Sequence, residues 1–316
     1  MARYIGRRLL LMLPTLVLVS ILVFALSEVL PGDIGRVRLG PYASESAVKQ
    51  LDHQLGVDRP IYVRYFEWAG HFLTGHLGYS LQYTNETVVS IVWPALGNSL
   101  LLAGFALVII VPTSIALGVF AGLHRDTMAD RAITIFSLSM TVMPEFVSGI
   151  IFIVIFSVMV NWLPSYAMPQ TPGPFIDRFY YLILPAIPLM LVELGYIARM
   201  ARAGTAQVLD QPYIRTATLK GLPRARVVFS HVLRNAMVPT VTVIGSQIGW
   251  LIGGLVVVET LFNYPGIGRY TVQAALNHDQ PLLEACVLVI AVIYMVANLT
   301  ADIVVALLNP RIRKST

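Results

Sequence analysis

Residues 87–123 read TVVSIVWPALGNSLLLAGFALVIIVPTSIALGVFAGL, without a single charged side chain. A helix needs about 20 apolar residues to cross the hydrocarbon core of a bilayer, which is roughly 30 Å thick. Two further stretches are similar, because residues 9–26 carry no charge and residues 132–176 carry only Glu145. The sequence therefore predicts an integral membrane protein.

The composition agrees with this class of protein. Hydrophobic residues make up 56% of the 316 residues and charged residues only 12%, whereas charged residues are roughly 25% of soluble domains. The mean hydropathy is +0.72. The single cysteine, Cys286, excludes an intrachain disulfide.

Six apolar runs predict six membrane-spanning helices. They cover about residues 9–30, 96–123, 132–160, 181–200, 237–260 and 282–308. The first run is longer than the core of a cleaved signal peptide, so we expect it to remain as the first span. With a cytoplasmic N-terminus, most of the 22 Lys and Arg residues lie on the cytoplasmic side, which predicts that both termini are cytoplasmic. The expected fold is all-α, with one transmembrane domain over residues 1–316 in the cytoplasmic (inner) membrane.

Two connecting segments are long enough to carry functions of their own. Residues 31–95 are extracytoplasmic in this topology and contain amphipathic stretches at residues 44–55 and 61–73. They suit either a solvated cap over the bundle or a docking surface for an external partner. Residues 201–236 form the longest cytoplasmic connection, which contains YIRTATLKGLPRARVVF at residues 213–229.

The pattern within residues 213–229 predicts a short protruding helix. Asp210 and Pro212 favour a helix start, and Gly221 favours the end of that helix. A second helical piece at residues 224–235 would lead back to the membrane.

Two acidic residues fall inside predicted spans. Glu145 follows Pro144 in the third span, and Glu193 lies near the middle of the fourth. Ionisable groups at this depth are costly and normally face a bundle interior or a wet cavity. They suit either the lining of a transport pathway or hydrogen bonds that fix packing, and Pro144 can open its helix locally. Three more acidic residues near span ends are interpreted as ordinary boundary residues: Glu259, Glu284 and Asp302.

The sequence contains no recognisable catalytic or nucleotide-binding signature. None of its lysines follows a glycine, so the Gly-Lys pair of a phosphate-binding loop is absent. His71 and His76 are five residues apart and miss the i, i+4 spacing of helical metal ligands. We therefore expect a chain that is not an enzyme and that binds no metal or cofactor of its own.

Residues 213–222 resemble the cytoplasmic coupling motif of ABC importer permeases, in the form RTA-x-x-K-G-L. That form is typical of the B-type subunit of dipeptide/oligopeptide importers, where Arg215, Thr216 and Ala217 replace the Glu-Ala-Ala of the general motif. Other stretches that resemble this family follow in order: LPGD (30–33), GHLGYS (75–80), ILPAI (183–187), LRNAMVPTVTVIGSQIG (233–249), VVETLFNYPGIGR (257–269) and NPRIR (309–313).

The resemblance implies a type I ABC importer-like permease that moves dipeptides or oligopeptides. It implies a complex with a second homologous permease, two ABC ATPase subunits that bind ATP and Mg²⁺, and an extracytoplasmic substrate-binding protein. The residues that would couple ATPase movement to the membrane helices are Tyr213, Arg215, Thr216, Ala217, Lys220 and Gly221. Glu145 and Glu193 would be candidates for the pathway.

Other functions fit parts of the pattern. The same architecture could import nickel or another small solute. A stand-alone secondary transporter could use Glu145 and Glu193 for proton coupling, but the sequence shows no clear internal repeat. A membrane enzyme is disfavoured because no catalytic signature is present, and a nucleic-acid partner is not expected.

Overall fold

The computed structural model describes residues 2–29, 39, 42–55, 59–83, 86–168, 174 and 176–308, and these residues are mostly helical. Within these ranges, one isolated antiparallel bridge joins Tyr79 and Thr87. The LPGD and NPRIR motifs lie outside the described residues, as does most of residues 31–41.

Eleven helices follow one another along the described part of the chain. In order they are α1 (Ala2–Val29), α2 (Glu45–Leu55), α3 (Ile61–Leu73), α4 (Val88–Leu123), α5 (Met128–Val142), α6 (Glu145–Met159), α7 (Asp177–Leu209), α8 (Pro212–Leu219), α9 (Arg224–Leu261), α10 (Ile267–Leu276) and α11 (Gln280–Leu308). The amphipathic stretches predicted after the first span are the helices α2 and α3, as expected.

Five helices in the described part of the chain are long and apolar enough to cross a membrane: α1, α4, α7, α9 and α11. The third predicted span is instead a pair of helices, α5 and α6, bent by 105°, and the pair gives a sixth crossing if it is counted as one. Pro144 causes the break, because proline lacks an N–H and disfavours a helical residue before it. Accordingly, Met143 and Pro144 are both extended. The prediction that Pro144 opens its helix is confirmed.

The connection predicted at residues 201–236 is almost entirely helical. α7 continues to Leu209 and α9 already begins at Arg224, with a π-helical stretch at Val227–Val232. The prediction that Asp210 helps to start a helix is wrong. Asp210 ends α7, and the extended residue Gln211 precedes α8.

Two compact units organise the chain, and the first is built mainly from Leu100–Tyr264 with the end of α11 from Val296. Its core joins small and aliphatic residues of α4, α7 and α9, including Leu102, Leu184 and Leu255. Helices approach closely at glycines, because small residues allow backbones to pack tightly in lipid.

The second unit comprises Gly6–Ser99 and Pro265–Met295. Its core joins the start of α4 to α10 and α11 through residues such as Val88, Ile267 and Leu282. Polar contacts reinforce this core. The backbone N–H of Ile267 donates to Ser99 Oγ at 2.8 Å, and Asn98 donates to the carbonyl of Pro265 at 2.9 Å. In addition, the buried carboxylate of Asp279 accepts hydrogen bonds from Ser80 Oγ and the N–H of Gln82.

We predict that Gly245→Val destabilises the protein, whereas Gly253→Val in the same helix does not. A Cβ on Gly245 would lie 2.8 Å from the Cβ of Ala301, but a Cβ on Gly253 meets nothing within 4 Å. Overpacking of this kind costs about 1–3 kcal/mol. Thermal unfolding of the purified protein in detergent measures the difference. Equal unfolding midpoints for the two variants would contradict the close approach of α9 and α11.

Candidate functional site

The short helix α8 is the predicted coupling segment. Pro212 is its first residue and suits that position, because the missing N–H has no partner there in any helix. At its end the N–H of Lys220 donates to the carbonyl of Thr216, and the N–H of Gly221 donates to that of Thr218, both at 3.0 Å. Gly221 then adopts a left-handed φ of 73°. The prediction that Gly221 ends this helix is confirmed.

One face of α8 fixes it to the two neighbouring helices. Ile214 and Ala217 are buried, and they pack with residues from the end of α7 and the start of α9: Val208, Val227, Val232 and Ala236. Asn235 in α9 also donates a 3.0 Å hydrogen bond to the hydroxyl of Tyr213. A displacement of α8 therefore acts directly on α7 and α9.

The predicted coupling residues divide between two faces of this segment. Tyr213, Arg215, Thr216, Lys220 and Gly221 are exposed. Ala217 is only 8% exposed and packs against its own chain, so it anchors α8 and does not form part of the exposed surface. No other atom of the described chain lies within 4 Å of the position that a Cβ on Gly221 would occupy.

The structure brings the two candidate pathway acids into one region of the first unit. Glu193 of α7 is 3% exposed and lies near Gln247 of α9, which is also buried. Its Oε2 atom has no hydrogen-bond partner among the described residues. Glu145, the first residue of α6, is partly buried, and its carboxylate points toward Gly254 of α9. A Cβ added to Gly254 would lie 2.7 Å from Oε1 of Glu145. The same Cβ would also meet Leu189, which precedes Glu193 by about one helical turn. The two acidic side chains therefore lie near the same part of the α7–α9 contact.

A partly buried ion pair lies on the α5–α7 contact, and sequence reasoning missed it. Arg202 binds the carboxylate of Asp130 through both Nε and Nη2, and the second contact measures 2.6 Å. The hydroxyl of Thr127 accepts from the N–H of Asp130 at 3.3 Å and so caps α5. The local signal was the Thr-x-x-Asp spacing, which is typical of a helix start. Nothing in the local sequence indicates Arg202 as the partner.

The interpretation of the remaining acids as boundary residues is wrong in two cases. Glu259 is fully buried and Glu284 is 6% exposed. Within the second unit, Glu284 accepts a hydrogen bond from Ser27 of α1. These side chains point into helix contacts because an unpaired carboxylate is costly near lipid.

Together these features define a multi-pass membrane transport protein of the permease type: membrane-crossing helices, acids buried between them, and a short exposed helix. Residues 114–314 match the family described as the binding-protein-dependent transport system inner membrane component. Residues 1–117 match the N-terminal part of such membrane components. The chain belongs to the family of binding-protein-dependent transport system inner membrane components. This is a family of transport subunits and not of enzymes, and it confirms the resemblance drawn from the motifs.

Three relatives match over 99% of this chain and 99% of their own length. The chain is 37% identical to the di/tripeptide transport system permease protein DppB of Pseudomonas aeruginosa. It is 36% identical to the oligopeptide transport system permease protein AppB of Bacillus subtilis. It is 35% identical to the glutathione transport system permease protein GsiC of Escherichia coli.

We predict that Glu193→Gln keeps the fold but lowers transport, because an amide keeps the size and hydrogen-bonding capacity of the carboxylate while it removes the charge. Glu193→Leu is the matched comparison. It removes the polar atoms beside the buried amide of Gln247, and it should lower both stability and transport because an unsatisfied buried polar group costs about 1–3 kcal/mol. Uptake by the reconstituted transporter and thermal unfolding separate the two effects. Normal uptake by Glu193→Gln would assign this residue to packing alone.

Proposed function

We propose that this chain is a permease subunit of an ATP-driven importer of dipeptides and oligopeptides. The observation that carries the proposal is α8, a short helix fixed by one face to two membrane helices and ended by a left-handed glycine. The names of the three relatives support the substrate class, because di/tripeptides, oligopeptides and glutathione are all small peptides.

In the proposed mechanism, the exposed surface of α8 lies in a groove of a cytoplasmic ATPase subunit. Two such subunits bind ATP and Mg²⁺, and their closure displaces α8. Because Ile214 and Ala217 pack against α7 and α9, the displacement passes to the helices that carry Glu193 and Gln247. The bundle then exposes the pathway to one side of the membrane or the other. It is an element with two states, and both ATP and the peptide shift the equilibrium between them.

Glu145 and Glu193 are the proposed pathway acids. A peptide carries a positively charged amino terminus, and a carboxylate on its route offsets part of the cost of leaving water. Glu145 suits this role because the break at Pro144 leaves it at the start of a helix and only partly buried. Glu193 suits it because one of its oxygens is unpartnered among the described residues.

The proposed assembly contains a second homologous permease, the two ATPases and an extracytoplasmic substrate-binding protein in the cytoplasmic membrane. Both termini and residues 201–236 face the cytoplasm, and residues 31–95 face outward. Membership of a binding-protein-dependent family argues against a stand-alone proton-coupled transporter. The ligand that the binding protein retains distinguishes a peptide importer from an importer of nickel or another small solute.

The whole proposal is tested by reconstitution with the proteins encoded beside this chain. The chain alone should not hydrolyse ATP, whereas the assembled complex should, at a rate that rises with peptide-loaded binding protein. Labelled dipeptide or tripeptide should enter vesicles that contain ATP. ATP turnover by the chain alone, or a binding protein that retains a nickel chelate and no peptide, would contradict the proposal.

The end of α8 gives a sharper test of coupling. We predict that Gly221→Val uncouples ATP hydrolysis from uptake, because a β-branched residue strongly disfavours the left-handed φ of 73°. Gly221→Asn is the matched control, since asparagine tolerates that conformation, and it should retain most of the transport. Co-purification of the ATPases and thermal unfolding monitor assembly. Coupled uptake by Gly221→Val at the normal rate would exclude α8 as the coupling helix.

A further inference from the structure

The amphipathic helix α3 packs along the C-terminal part of α1. The hydroxyl groups of Tyr65 and Ser20 are 2.9 Å apart. The ring of Phe24 in α1 lies 5.6 Å from that of Tyr65 and 5.4 Å from that of Trp68. These contacts fix one face of α3 against a helix that spans the membrane.

The depth of these contacts in the membrane follows from the geometry of α1. Its membrane-crossing stretch runs from Arg8 to Glu28, and only 6% of it is buried by the rest of the chain. Ser20 precedes Glu28 by eight residues, which is about 12 Å along a helix. Half of the hydrocarbon core is about 15 Å. The hydroxyl of Tyr65 therefore lies inside the hydrocarbon core, and α3 lies beside the membrane part of α1.

A second face of α3 is apolar and exposed. Tyr62, Phe66 and Leu73 are 64%, 71% and 86% exposed, and their spacing places them on one side of the helix. Glu67 and His71 are also exposed and lie on the other side. Arg59 binds the carboxylate of Glu67 at 2.9 Å in an ion pair that is about half exposed.

The charge distribution shows which side of α3 can face lipid. Arg64 of α3 and Glu28 of α1 form a close pair, with one contact of 2.6 Å, and their side chains are only 17% and 16% exposed. Paired charges of this kind are tolerated at the edge of the hydrocarbon core. The exposed charge of Glu67, in contrast, requires water or headgroups.

We propose that α3 is an interfacial helix embedded in the lipid leaflet at the C-terminal end of α1. Tyr62, Phe66 and Leu73 contact acyl chains, and Glu67 and His71 face headgroups and water. The partner is lipid because α3 is held beside the membrane part of α1, a span of which only 6% is buried by the chain. In the proposed topology this is the outer leaflet. The assignment differs from both the solvated cap and the external docking surface considered for this segment, and it depends only on α1 crossing the membrane.

Fluorescence quenching at two adjacent positions tests the proposal. Cys286 is fully buried and can be replaced by alanine, so that Phe66→Cys and Glu67→Cys each carry one reactive thiol for a bimane label. The labelled proteins are placed in phosphatidylcholine vesicles with doxyl-labelled lipid as the membrane quencher and iodide as the aqueous one. The label at position 66 should be quenched several-fold more by doxyl lipid than the label at position 67, and the order should reverse with iodide.

Each other outcome overturns the proposal. Stronger iodide quenching at position 66 than at position 67 would place this face in water. Protection of position 66 from both quenchers would show that protein covers it. Size-exclusion chromatography and thermal unfolding of both variants exclude misfolding as the cause, and the adjacent position 67 controls for label mobility.

Discussion

The close approach of α7 and α9 is the contact on which the first unit depends. A Cβ on Gly204 would lie 2.5 Å from the carbonyl oxygen of Ala236, so the two backbones nearly touch. Glycine allows this approach because it has no side chain to separate the two backbones. The same two helices bring Glu193 to Gln247 and provide the surface to which α8 is fixed. The coupling segment α8 and the region around Glu193 therefore both depend on the contact between α7 and α9.

Polar groups in this protein find partners on helices that are distant in sequence. In the first unit Asp130 pairs with Arg202, and in the second Glu28 pairs with Arg64. A charged group that is largely removed from water is costly unless it is paired, so each of these side chains needs a partner within the protein. Such pairs fix the rotation of each helix about its own axis, which apolar side chains facing lipid leave undetermined. In this way a few polar side chains specify the register of a largely apolar bundle.

The helices could be predicted from the sequence, but the contacts between them could not. Hydropathy located the spans because their length is set by the bilayer, and Gly221 marked the end of α8 because only a few residues adopt its backbone conformation. The inward direction of Ala217 could not be predicted, since the face of a short helix depends on the neighbours against which it packs. The pairing of Arg202 with Asp130 could not be predicted either, because it also depends on which helices pack together. Pro144 indicated a break, but the sequence did not give the size of the bend, which is 105°.

The bend at Pro144 also has a consequence for the bilayer itself. α5 has 15 residues, which is a length of about 22 Å, shorter than the roughly 30 Å of hydrocarbon around it. Because α6 turns away by 105°, it does not make up the difference. A short span of this kind is accommodated by local thinning of the bilayer, by flanking polar groups or by neighbouring helices. Glu145 is the first residue of α6, so thinning at this end of α5 would lower the electrostatic barrier to a charged group that crosses beside its carboxylate.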